Sequence, residues 1–486
     1  MPYKRPENRF QTSMNSLEDM ISKQNPVRII DLVVDKMEAD NREEFVRTKE
    51  SNFGTSSYLA STLLKLFLYG YFNGISSSRT LEKETQRNQE MKWLLGNLQP
   101  DHWTISTFRK DSCELIKKAT IMFRKFLRSN EYMDFKKVAY DGTKVKANAR
   151  KDMLKLNSIE RSLHEIDKKI AEYLEQLKVN DMIDDNIEEH IVSGSRENFD
   201  RHLIDKIAIL ESQVEELNAY KKKMEEAGLI RISKSDEEAK LMKGRDGKFP
   251  GYNAQTVVDS KNHMIALCDV VNEEVDVQQL EPITEALLEE YNELPKEVLA
   301  DKGYYNFSQI EKLELEHHID VYVPIPESNS TKSDISFTYD SERDVYVCSE
   351  GKELRLLSRN KKTRDSYSDV YRGIGCNQCP RKQECTTSKH GRQVYRYINQ
   401  EFRNNFKAKM TSKKGKLKTA LRKTIVEHPF GTIKYLMGKI PILLRGTSKV
   451  QIEFDLYTTV YNLKRLINIE EMDILRNKIV EYNWKY

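Results

Sequence analysis

Three carboxylates stand where an enzyme could use them together. Asp141 follows an apolar stretch in VAYDGTKVKANA, Asp301 follows another in VLADKGYYN, and Glu427 is the only acid of LRKTIVEHPFGTIKYLMG. Three such groups around an open site suit a hard divalent cation, because Mg²⁺ prefers carboxylate oxygen and keeps several of its waters. Two ions roughly 3.5–4 Å apart can stabilise both the entering and the leaving oxygen of a phosphodiester under attack. Basic surroundings would hold the polyanion against them. Between Glu401 and Val450 thirteen Lys or Arg stand against two acids, Glu401 and Glu427. On its own such a run reads equally well as a solvated face or a phosphate-facing surface; the lone glutamate inside it favours the second. Arg422, Lys423, Lys434 and Arg445 are the candidate backbone-phosphate contacts. Taken alone, Asp141 before Gly142 reads more readily as a turn residue than as a ligand.

Six cysteines are present. Cys113 and Cys268 sit alone in apolar contexts, as small buried hydrophobes do. Cys348, Cys376, Cys379 and Cys385 cluster, and the Cys376-x-x-Cys379 pair puts two sulfurs on one turn at a reach suited to tetrahedral Zn²⁺. Gly375 and Pro380 tighten that turn. Apolar residues are sparse nearby, so a closed structural zinc site with four thiolates would supply the missing stabilisation. Reduced structural thiols or a redox pair are the alternatives.

These groups need elements to position them. Up to about residue 130 the chain reads as helical, with SYLASTLLKLFLYGY (57–71) apolar on more than one face. KKVAY (136–140) reads as a strand ending at Asp141. From Ile159 the apolar positions 159, 163, 166, 170, 174 and 177, then 203, 207, 210, 214 and 217, follow alternating spacings of three and four. That pattern predicts two long helices paired as an antiparallel coiled-coil hairpin. GYNAQTVVD (251–259) and HMIALCDVV (263–271) read as a β-hairpin. A helix over 279–291, a strand over 297–300, a helix over 307–317 and a strand over 320–324 follow. The succession is a mixed α/β sheet interrupted by insertions. Pro429 predicts that the helix carrying Glu427 either begins there or kinks there.

The expected division is a helical N-terminal domain over 1–130, with DNA binding as its job, and a catalytic core over 131–151, 241–326 and 401–470. A coiled-coil insertion over 152–240, a cysteine-rich insertion over 327–400 and a tail over 471–486 complete it. At 486 residues the chain is long enough for about three domains. Charged residues make up 32% and hydrophobic ones 38%, which excludes a disordered or membrane-embedded chain, and no apolar run approaches a transmembrane span. Net charge is only +4 and by itself names no partner. The polar start MPYKRPENRF gives no signal core, so a cytoplasmic protein is expected.

With these motifs quoted, the chain resembles the bacterial insertion-sequence DDE transposases, the group with a Tyr-Arg-Glu-Lys type motif at the C-terminal glutamate. AYDGTKVKANA is similar to the first aspartate motif and ADKGYYN to the second. VEHPFGTIK, RGTSKV and YNLKRL resemble the glutamate region, with Lys434 at the family's spacing from Glu427. The sequence departs from the pattern where Ala420 stands for the tyrosine and Lys423 for the arginine, with Arg422 beside it. The resemblance implies a ribonuclease-H-like core on which Asp141, Asp301 and Glu427 hold two Mg²⁺ (or Mn²⁺) ions. It further implies cleavage at terminal inverted repeats, strand transfer of the 3′-hydroxyl into target DNA, and a homodimer or higher multimer working at the bacterial nucleoid. Two other readings share these residues: a nuclease that cuts without joining, and a catalytically idle DNA-binding descendant. An aspartyl-phosphate phosphatase, suggested by Asp141-Gly142-Thr143, fails because Ala139 stands where its nucleophile belongs.

Overall fold

A computed structural model describes residues 16–46, 57–184, 193–244, 247–326, 335–363, 367–436 and 442–486. The N-terminal part is helical: α1 (Val27–Asp40), α2 (Ala60–Phe72), α3 (Ser78–Arg87), α4 (His102–Asp111) and α5 (Cys113–Ser129) are its main helices. Leu63, Leu66 and Phe67 of α2 are fully buried, as its apolar faces require. Asp101 caps α4 by accepting from the Thr104 amide at 2.6 Å. Trp103 is 71% exposed on the first turn of that helix.

The central sheet is built from β1 (Lys137–Lys146), β2 (Lys240–Gly244), β3 (Gly247–Asp259), β4 (Ile265–Val271), β5 (Glu297–Leu299) and β6 (Asp320–Tyr322). Strands β1, β3 and β4 form an antiparallel meander, with β2 on the far part of the β3 edge. On the other side of β1, β5 and then β6 add in parallel. The core order is therefore β4-β3-β1-β5-β6, a mixed sheet with β1 at its centre, and α8 (Leu280–Tyr291) and α9 (Phe307–Leu315) supply the crossovers.

Two insertions leave this sheet. The first is an antiparallel pair of long helices, α6 (Leu156–Asp184) and α7 (Ser193–Glu226). Ile159 packs with Leu217 and Met224 at their shared base, and Lys221 pairs with Glu160 at 3.4 Å. The second is a separate five-stranded antiparallel sheet of β7 (Phe337–Asp340), β8 (Val345–Cys348), β9 (Glu353–Lys362), β10 (Tyr367–Gly373) and β11 (Gln393–Tyr397).

Four helices close the chain: α10 (Gln400–Thr411), α11 (Lys413–Leu436), α12 (Thr447–Ile469) and α13 (Met472–Glu481). The segment expected as a tail is packed, with Trp484 fully buried and stacked on Phe126. α12 closes the open edge of the sheet with two side-chain amides. Asn462 accepts from the Ile265 amide at 2.8 Å and donates to its carbonyl at 2.9 Å, while Gln451 does the same for Val270 and Cys268 at 2.7 and 2.8 Å. An edge strand otherwise offers unpaired backbone groups, so these amides satisfy β4 and fix the helix on it.

Between the N-terminal helices and the sheet, Arg124 of α5 forms a bidentate pair with Glu290 of α8 at 2.8 and 2.7 Å, both side chains almost wholly buried. Asp455 of α12 lies in the same region. Burial pushes its carboxyl up to about 7 against the pull of Arg124 and Gln451. A raised folded-state value means that its stabilising contribution is full below the ordinary aspartate range and is lost as the pH rises through about 7. Asp455→Asn is therefore expected to flatten the decline in unfolding temperature between pH 5 and pH 8. An identical decline in both proteins would show that Asp455 is ionised throughout.

Candidate active site

Asp141 is not at the end of its strand. β1 runs on to Lys146, paired with β3 in the register Asp141↔Thr256 through Lys146↔Gly251, while its parallel partner β5 stops at Ala139↔Leu299. Asp141 thus stands beside the point where β5 gives out and Asp301 begins. Gly142 is a strand residue, not a turn residue. A Cβ there would lie 2.6 Å from Asp276 Oδ1 and 2.8 Å from Gln255 Nε2, so only glycine admits what sits above the strand.

What sits there is a third aspartate, Asp276, in the loop between β4 and α8. Its Oδ1 accepts from Asn253 Nδ2 (2.6 Å) and Gln255 Nε2 (2.7 Å), and Lys144 Nζ lies 3.0 Å away. Both amides come from β3 and the lysine from β1. These partners fix one carboxylate oxygen and leave Oδ2 near Gly303. A Cβ on Gly303 would stand 2.9 Å from Asp301 Oδ1 and 3.6 Å from Asp276 Oδ2. Asp301 caps the turn after β5, accepting from the Gly303 amide at 2.7 Å. Tyr304, fully buried beneath, donates to Gln255 Oε1 and is held well above its ordinary range by burial and then by Asp276, Asp141 and Asp301.

The cation among these acids is Arg422. Its Nη2 lies 2.5 Å from Asp141 Oδ1 and 4.0 Å from Asp301 Oδ2, and the guanidinium also donates to the Tyr140 carbonyl at 3.3 Å. Burial raises the Asp141 pKa, Arg422 opposes that rise, and Asp301 and Asp276 add to it. Arg422 is placed here by α11, which lies across the sheet: Lys418 pairs with Glu297 of β5, Arg422 with Asp141 of β1, and Ile425 meets the β3–β4 turn.

The helix runs unbroken through Pro429. Proline lacks the amide that would bond the Ile425 carbonyl. The His263 ring takes that carbonyl instead at 3.4 Å, and His263 stacks on His428. Arg465 donates to His428 Nε2 at 3.1 Å, and the Tyr461 hydroxyl partners Nδ1 at 3.1 Å. Burial first, then Arg465 and His263, lowers the His428 pKa.

Glu427 is not brought to the two aspartates. It follows Arg422 by five residues, about 7.5 Å along the helix and about 140° round it, and it is exposed. Lys423 is exposed one turn before it. Among the described residues no group of three or more His, Cys, Asp or Glu is close enough to hold a metal ion. Of the expected phosphate contacts, Arg422 is committed to Asp141, and exposed Arg445 donates through Nε to the Asn148 carbonyl at 3.0 Å. Lys434 lies in α11 with its side chain outside the described residues. Asp276 was not legible as a site residue, since nothing in NEEVDV (272–277) separates it from Glu273 and Glu274. Its place depends on how β1, β3 and β4 pair.

Removing Arg422 leaves the aspartates without their nearest cation. Arg422→Gln is expected to lower stability by about 1–3 kcal/mol, the usual cost of losing a hydrogen bond to a buried charged group. The cost should be larger at pH 8 than at pH 5, since protonating Asp141 relieves the repulsion. Denaturant unfolding at the two pH values reads this, and an equal cost at both would mean that Arg422 does not balance Asp141.

Two segments of the chain match known family models. Residues 15–111 match a transposase domain (DUF772), and residues 347–467, which include Arg422 and Glu427, match a transposase DDE domain. No curated protein matches the chain. Among solved structures, a piggyBac transposase synaptic complex with hairpin DNA aligns over 94% of this chain and 85% of that one, at 9% identity and a TM-score of 0.27. Both matched models describe transposase domains, one at the N-terminal helices and one spanning the second insertion and the closing helices.

Proposed function

We propose that this chain is an insertion-sequence DDE transposase, which cleaves DNA at the terminal inverted repeats of a bacterial element and joins the freed 3′-hydroxyl to target DNA. The observation that carries the reading is the meeting of Asp141 and Asp301 where β5 ends beside the continuing β1, around a single cation. The order β4-β3-β1-β5-β6, with only β3 antiparallel to both its core neighbours, supports a ribonuclease-H-like core. Carboxyl ends of parallel strands are where α/β sheets collect ligands.

The donor set fits hard divalent ions: carboxylate oxygens of Asp141 and Asp301, with the guanidinium of Arg422 already marking the position as one for positive charge. Mg²⁺ or Mn²⁺ bound there would stabilise charge on the phosphate oxygens and lower the pKa of the attacking water or hydroxyl. The chain's own residues do the rest. Asp141 is aimed by the rigid centre of the sheet, Asp301 by its cap on Gly303, and Lys144, Asn253 and Gln255 hold Asp276 in one rotamer. Lys423 and Arg445 are exposed and suited to backbone phosphates, with Lys434 retained from the sequence pattern. The helical N-terminal domain would bind the element ends, and two or more copies would bring both ends together. Among the described residues no helix is long and apolar enough to cross a membrane.

The third carboxylate has two candidates. The sequence pattern assigns it to Glu427, which would have to turn inwards with its helix. The positions of Gly142 and Gly303, which leave room for Asp276 beside Asp301, favour Asp276.

Cleavage and joining on a duplex carrying the element's ends, with Mg²⁺ or Mn²⁺, test the reading. Asp141→Asn and Asp301→Asn should each abolish both steps while leaving DNA binding within a few-fold of wild type. Cutting by either variant would overturn the assignment, and cutting without joining by the wild type would leave a nuclease. Asp276→Asn beside Glu427→Gln decides the third ligand, since only loss of the true one removes Mn²⁺ binding measured without DNA. Lys423→Ala should weaken binding across sequences and reduce the slope of log affinity against log salt by about 1. An unchanged slope would take Lys423 off the DNA.

A further inference from the structure

The sheet of β7 to β11 is not explained by the DNA chemistry. Its buried apolar core is Tyr346, Leu354 and Tyr371, ringed by half-buried Phe337, Tyr339, Leu356 and Val394. A unit of this size buries too little apolar surface to fix one conformation unaided, and small folds of this kind take a metal or disulfides as a staple.

Four thiols line a single cavity at one end of this sheet. Cys348 ends β8 at the hairpin into β9. Cys376 and Cys379 bracket a tight turn in which the Cys379 amide donates to the Cys376 carbonyl at 3.2 Å, and Cys385 ends the short helix Lys382–Cys385. Room has been left for the sulfurs. A Cβ on Gly373 would lie 2.3 Å from Cys376 Sγ, and one on Gly391, at φ +88°, would lie 3.4 Å from the same sulfur. The Lys352 amide donates to Cys348 Sγ at 3.3 Å, and Lys382 and Arg392 complete the wall. Four sulfurs on one cavity are the donor set of a closed, tetrahedral zinc site.

We infer that Cys348, Cys376, Cys379 and Cys385 are the ligands of a structural Zn²⁺ ion that ties the β8–β9 hairpin to the Cys376–Cys385 turn. In this structure no three of them stand close enough to hold the ion, so binding draws the sulfurs together by side-chain rotation. Each thiol that binds gives up its proton, so uptake releases protons and weakens at low pH. Soft sulfur selects zinc over the hard Mg²⁺ expected at the aspartates, and four protein ligands leave no open position for chemistry.

The test is titration of the reduced, full-length protein with Co²⁺ as the probe. About one equivalent should develop thiolate-to-cobalt charge-transfer bands with the d–d absorption of a tetrahedral site, and Zn²⁺ should displace it. Alkylation followed by peptide mapping should show Zn²⁺ protecting all four clustered cysteines, with Cys113 unaffected. Cys385→Ser should change the cobalt spectrum and Cys113→Ser should not. Absence of thiolate–cobalt bands in the wild type would overturn the proposal whatever the variants do. So would alkylation that is the same with and without Zn²⁺, or oxidation of the four thiols to disulfides that Zn²⁺ does not prevent.

Discussion

Like charges held at close range raise one another's affinity for protons, and the centre of this molecule gathers three carboxylates from three segments. Asp141 comes from β1, Asp276 from the loop before α8 and Asp301 from the end of β5. Their neighbours answer that repulsion. Lys144 and two amides of β3 take one oxygen of Asp276, the Gly303 amide takes one of Asp301, and Arg422 lies between Asp141 and Asp301. Two glycines keep the space open for these contacts. Positive charge from Lys144 and Arg422 thus offsets the repulsion among these acids.

Holding such a site demands a sheet whose centre does not move. β1 is paired on both sides, antiparallel with β3 and parallel with β5. The vulnerable edge at β4 is closed by the amides of Asn462 and Gln451. The same helix α12 packs against α5 and α2, so the N-terminal helices and the central sheet share one apolar core. The buried Arg124–Glu290 pair joins the two parts electrostatically. Such pairs add little net stability but penalise any arrangement that separates them.

Asp141 and Asp301 were legible because each follows a short apolar run that can only be a buried strand. The extension of β1 beyond Asp141 was hidden, because Asp-Gly signals a turn and the reason for the glycine lies in Asp276, far along the chain. The heptad spacing exposed one stripe of α6 and α7, and Ile159 and Leu217 on it do pack together. By contrast the β7–β11 sheet was invisible: its strands are largely polar, and only Val345, Tyr346, Leu354, Val370 and Tyr371 among their apolar side chains are buried. Pro429 lies inside α11, so of the two readings of this proline the helix start is excluded. Proline costs a helix one carbonyl partner, and the His263 ring supplies a substitute that no local pattern reveals.

Arg422 and Glu427 cannot both face the aspartates from one regular helix, since about 140° separates them. The present arrangement therefore places a basic group where the sequence pattern places an acidic one. Turning α11 about its axis would break Lys418 from Glu297 and Arg422 from Asp141, and would pull buried Ile425 and Val426 from the sheet. That loss has to be met by new interactions of Glu427, of the outward-facing cations with DNA, or both. Asp276 asks for no turning of the helix, since its partners Lys144, Asn253 and Gln255 all belong to the sheet, but the three aspartates do not stand close enough together in this arrangement to share an ion.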